Sequence, residues 1–76
     1  MKLTLFTGPQ CHLCDLAVEV INSLEGPTLT VERVNIRDNT EYFHLYAVRI
    51  PVLRREDTQQ ELGWPFDKQQ LETFIQ

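Results

Sequence analysis

Cys11 and Cys14 are the only cysteines in this 76-residue chain, and just His12 and Leu13 separate them. Three steps along the start of a helix bring two sulfurs within bonding reach. A thiol there faces unpaired backbone N–H groups and the positive end of the helix dipole, which together hold a thiolate. The chemistry such a pair can do is thiol–disulfide exchange. Cys11 is the candidate nucleophile, and Cys14, one turn deeper, is the candidate resolving thiol. Two other readings stay open. The pair could be ordinary core cysteines, or half of a zinc site, although structural zinc takes four ligands and there is no second cysteine pair. No metal site is therefore expected. His12 either tunes the Cys11 thiolate when protonated or is an ordinary exposed histidine. Asp15 suits a helix N-terminus, yet its charge opposes a nearby thiolate.

The elements that must position this pair are legible from apolar spacing. Lys2 to Thr7 reads as a strand, broken by Gly8-Pro9-Gln10. A helix begins near Cys11. Its apolar residues Leu13, Leu16, Ala17, Val20, Ile21 and Leu24 recur in steps of three and one, the period of one helix face. Gly26 and Pro27 are the expected stop. Thr28 to Ile36 reads as a second strand. Its apolar residues change parity between Val31 and Val34, so it either bulges near Glu32-Arg33 or is partly covered on both faces. Asp38 and Glu41 resemble a capping box opening a short helix with Tyr42, Leu45 and Tyr46 as its apolar positions.

Ile50 to Leu53 reads as a third strand entered through Pro51. Arg55 to Thr58 reads as a polar turn, and the adjacent cations Arg54 and Arg55 as a solvated one. Gln59 to Leu62 returns as a fourth strand. Gly63-Trp64-Pro65-Phe66 forms a rigid loop. Asp67 and Gln70 then make a capping box for a last helix, with Phe66 and Leu71 spaced as its hydrophobic staple and Leu71, Phe74 and Ile75 as its buried face. The order is β-α-β-α-β-β-α. A helical crossover favours a parallel first pair of strands, and a short turn favours an antiparallel last pair. The expected fold class is α/β, a four-stranded mixed sheet flanked by helices.

Length and composition bound the function. The chain has room for one domain, residues 1–76, and 42% hydrophobic residues are enough for a core. A net charge of −4 argues against nucleic acid or an anionic membrane as partner. No signal peptide or stretch of ~20 apolar residues is visible, so the expected location is cytoplasmic. In a reducing compartment a cysteine pair is more often redox-active than a permanent crosslink.

The element order, the Cys11-x-x-Cys14 pair at the first strand–helix junction and Ile50-Pro51 before the third strand resemble the glutaredoxin branch of the thioredoxin fold. The resemblance spans nearly the whole chain and looks closest to short bacterial glutaredoxin-like proteins of unestablished substrate. Three departures stand out. His12-Leu13 replaces the usual Pro-Tyr between the cysteines. Gly8 stands where many glutaredoxins carry a lysine for a glutathione carboxylate. Gly63-Trp64-Pro65-Phe66-Asp67 replaces a Gly-Gly loop. Nor does the chain match thioredoxin itself, whose buried acid is replaced by Leu5.

The resemblance implies that Pro51 is cis and opposite the cysteines, where it keeps stray donors from the sulfurs. It also implies that the Ile50 backbone is free to pair with an extended substrate. Arg49 could attract a substrate carboxylate, and Trp64 with Phe66 could contact a partner or simply pack on the core. The implied activity is reduction of disulfides in a protein or small molecule. No cofactor is bound, and glutathione or a reductase serves as electron source. The alternative is a non-catalytic protein-binding or redox-sensing module on the same fold.

Overall fold

The first apolar run forms the middle of the molecule. In the computed structural model, which describes residues 1–24 and 29–76, β1 (Lys2–Thr7) is flanked on both sides by other strands. It pairs in parallel with β2 (Thr30–Asn35) and antiparallel with β3 (Val52–Arg55), and β3 pairs antiparallel with β4 (Glu61–Gly63). The sheet order is β2-β1-β3-β4. The helices are α1 (His12–Asn22), α2 (Thr40–Tyr46) and α3 (Lys68–Phe74). The expected thioredoxin-like arrangement of a mixed sheet with three helices is what forms.

The sheet carries a core on each face. Leu3 and Leu5 of β1, Ala17 and Ile21 of α1, Leu53 of β3, Phe66 and Leu71 are buried together on one face. Phe6, Val52, Ile36 and Tyr46 are buried on the other. There the Tyr46 ring stacks on Phe6 with centroids 4.2 Å apart, and Tyr42 meets Phe6 edge-on at 5.1 Å. A central strand covered on both faces must be apolar at successive positions, which is why Leu5 and Phe6 follow one another.

Several local expectations change. The β1–β2 register runs unbroken from Lys2 opposite Thr30 to Thr7 opposite Asn35, so β2 has no bulge. Its parity switch arises because Val31 packs against one core and Val34 against the other. β2 also ends before Ile36, which enters a 3₁₀ turn (Ile36–Asp38). Asp38 is used in that turn, so Asn39 caps α2 instead, its side chain accepting from the N–H groups of Glu41 and Tyr42. Leu13 and Leu45 face outward, 46% and 53% exposed, because the buried stripes are centred on Cys14, Ala17 and Ile21 in α1 and on Tyr46 in α2.

The third strand starts later and runs further than its apolar residues suggest, taking in both Arg54 and Arg55. Neither is a solvated turn residue. Register places Arg55 opposite Leu3, on the face covered by α3. Its guanidinium holds Asp57 with two bonds and donates to the backbone carbonyls of Phe74 and Gln76, satisfying the end of α3. Arg54 pairs with Glu56 and lies over the Phe6 ring. β4 correspondingly begins at Glu61 rather than Gln59. The capping box of α3 forms as read, and Phe66 and Leu71 share one core. The Gly26-Pro27 stop and Thr28 lie outside the described residues. No described helix is long and apolar enough to cross a membrane.

Candidate functional site

β1 ends at Thr7, and a turn through Gly8-Pro9-Gln10 delivers the chain to the start of α1. Gln10 takes a left-handed backbone, φ 56°, which a non-glycine residue adopts at a cost of ~1–3 kcal/mol. This turn seats Cys11 as the N-cap of α1. Its sulfur accepts from the backbone N–H of Cys14 at 3.1 Å, taking the place that a serine or aspartate oxygen would normally fill.

Cys11 and Cys14 are joined in a disulfide, with Cα atoms 5.2 Å apart, inside the usual range for that bond. The two sulfurs differ in access. Cys14 is 2% exposed and sits in the buried stripe of α1, whereas Cys11 is only half-buried. A cleft of about 340 Å³ opens over the pair, lined by Thr7, Gly8, Gln10, His12, Asp15 and Arg33 besides the cysteines.

The other candidates lie at varying distance from this cleft. His12 is exposed and lines it. The Ile50–Pro51 peptide is cis and Pro51 is fully buried. The Ile50 side chain lies so close to Gly8 that a Cβ there would meet its Cδ1 at 2.8 Å. Any side chain at position 8, including the lysine of the resembling family, would have to displace it. The expectation of a free Ile50 backbone is corrected in one respect. Its N–H donates to the Tyr46 carbonyl at 3.1 Å, because the chain leaves α2 through a hydrogen-bonded turn. At most the Ile50 carbonyl remains for a substrate.

Arg49 and Trp64 do not line the cleft. Arg49 pairs with Glu61 at 2.9 Å and lies over the Tyr46 ring. The Tyr46 hydroxyl donates to the same carboxylate, and this bond, with Arg49, holds the Glu61 carboxyl below its ordinary value. Trp64 packs edge-on against Phe66, centroids 5.1 Å apart, and against the α1–α3 core. The Trp64–Pro65 peptide is also cis.

Arg33 is the charged cleft residue that the sequence did not single out. The signal was present. It shares parity with Leu29 and Val31, which places it on the face that carries α1 once β2 is known to be free of a bulge. Among the described residues no group of three or more histidine, cysteine or acidic side chains is placed to hold a metal ion.

Comparison with known proteins agrees with this fold. The family model of the glutaredoxin-like domain (DUF836) matches residues 2–76. The chain is similar to XcR50, a structural-genomics target protein from X. campestris. The X-ray structure of that protein superposes with a TM-score of 0.83 at 37% identity, covering 96% of this chain and 93% of the other. Its solution structure gives 0.82 at 37% identity, covering 99% and 92%. No curated protein matches the chain.

Proposed function

We propose that this chain, which belongs to the glutaredoxin-like domain family, is a dithiol oxidoreductase that reduces disulfides through Cys11 and Cys14. One observation carries the reading. The accessible sulfur caps α1 and receives a backbone N–H, while its bonded partner is buried one turn on. Reduced, Cys11 would present a thiolate to those same amide dipoles.

The cycle starts from the reduced pair. The Cys11 thiolate attacks one sulfur of a substrate disulfide, forming a mixed disulfide and expelling one substrate thiolate, which takes up a proton. Cys14, deprotonated, attacks Cys11 Sγ. The second substrate thiolate leaves, and the Cys11–Cys14 bond forms. Two electrons have passed to the substrate, and the oxidised pair is the state present here. An external thiol reductant, glutathione or a dithiol reductase, must return them. A reducing compartment such as the cytoplasm would supply one.

The test uses the neutral substrate hydroxyethyl disulfide. Cys11→Ser abolishes its reduction, and Cys14→Ser accumulates a mixed disulfide visible by mass spectrometry. Full activity in the Cys11→Ser protein would overturn the reading. So would failure of the reduced wild-type protein to exchange at all, which would leave a binding module on the same fold.

A further inference from the structure

We propose that Arg33 is a specificity-determining residue that selects disulfides bearing a carboxylate close to the sulfurs. The inference rests on the oxidoreductase reading and names the substrate class of that site. Arg33 lines the same cleft as Cys11 and Cys14. It stands on β2 opposite Leu5 and also borders a second groove, of about 390 Å³, between α1 and β2, so it stands where the two openings meet.

Lys2, Arg49, Arg54 and Arg55 are each paired with a carboxylate, whereas Arg33 forms no ion pair among the described residues. Asp15 lines the cleft too and opposes an anion. The N-terminus of α1 contributes roughly half a positive charge at Cys11. In the reduced protein that dipole is matched by the Cys11 thiolate, which leaves Arg33 to offset Asp15, and His12 adds to Arg33 when protonated. The chain as a whole carries −4, which repels anions at long range. Capture of an anionic substrate therefore depends on a local cation at the cysteines, and a guanidinium offers a carboxylate two parallel hydrogen bonds.

Three disulfides of similar length separate charge from reactivity: dithiodipropionate, with a carboxylate at each end, neutral hydroxyethyl disulfide and dicationic cystamine. The reduced protein is mixed with each, and formation of the Cys11–Cys14 bond is timed by quenching and mass spectrometry. Each rate constant is divided by that of a small free dithiol with the same disulfide. Wild type favours the dianion over the neutral compound and the neutral over the dication.

Arg33→Gln lowers the dianion-to-neutral ratio by about two- to five-fold, the range of an exposed ion pair. Arg33→Lys keeps most of the ratio, and Arg33→Glu reverses the order. Asp15→Asn raises the ratio, and high salt compresses every difference. Equal losses on all three substrates in Arg33→Gln, or an unchanged ratio in Arg33→Glu, would overturn the specificity role while leaving the oxidoreductase intact. No reaction of wild type with the neutral compound would instead sink both.

Discussion

At the scale of single residues, what matters is which polar groups are already committed. Arg49 was the sequence-level candidate for a substrate carboxylate, but it pairs with Glu61, while Arg33 lines the cysteine cleft and forms no ion pair among the described residues. The committed groups set the pH response. The Glu61 carboxyl is held below its ordinary 4.5 by the Tyr46 hydroxyl and by Arg49, against the opposing effect of burial. That of Glu56 is held down by the Thr4 hydroxyl and by Arg54. A carboxyl with a depressed folded value stabilises the protein fully above its unfolded value, and that stability is lost as pH falls through the folded value. The midpoint of urea unfolding should therefore fall as the pH is lowered below about 4.5, and Glu61→Gln should flatten that acid limb. An acid limb equally steep in the variant would show that this pair does not contribute. Tyr46 works in the opposite direction. Burial and the neighbouring Glu61 raise its hydroxyl above 10, so its contribution is present below that value and lost at higher pH.

At the scale of elements, the short helices depend on their caps, since seven residues cannot sustain a helix alone. Both are capped through side-chain oxygens, α3 by Asp67 with Gln70 reciprocating and α2 by Asn39 with two donors. Asn39→Ala should cost about 1 kcal/mol, the typical loss of an N-cap. Asp38→Ala, one residue earlier, should cost much less. Urea melts of the two variants decide the assignment, and equal losses would return the cap to Asp38. The α3 cap was legible because Asp67, Gln70, Phe66 and Leu71 all point to one boundary. The α2 cap was not. Asp38-Asn39 offers two good capping residues in a row, and only the 3₁₀ turn opened by Asn35 settles which one the helix uses. The ends of β3 were hidden for a similar reason. Arg54 and Arg55 look like turn residues until β1 and α3 supply their partners.

At the scale of the whole molecule, one four-stranded sheet carries two cores, and β1 belongs to both. A 76-residue fold has about 4–11 kcal/mol of stability. Leu5 is fully buried between α1 and the neighbouring strands, so Leu5→Ala should cost about 2–5 kcal/mol and leave little in reserve. Leu13→Ala, exposed beside the cysteines, should change stability by no more than ~0.5 kcal/mol. Denaturant midpoints at unchanged slope test both. A large loss at Leu13 would place it in the core that its spacing suggested. The site uses the same geometry. The parallel β1–β2 pair and the turn after Thr7 put the α1 N-terminus and the middle of an edge strand around one cleft.

The order of elements, the helix start at Cys11 and the apolar face of β1 were written in the chain itself. Local periodicity and the reach of two sulfurs three residues apart depend on nothing distant. Which cation lines the cysteine cleft and which arginines are buried were decided only by tertiary structure. Each turns on a partner far along the chain: Leu5 for Arg33 and the end of α3 for Arg55. A lone side chain carries no record of the strand register that will supply its partner.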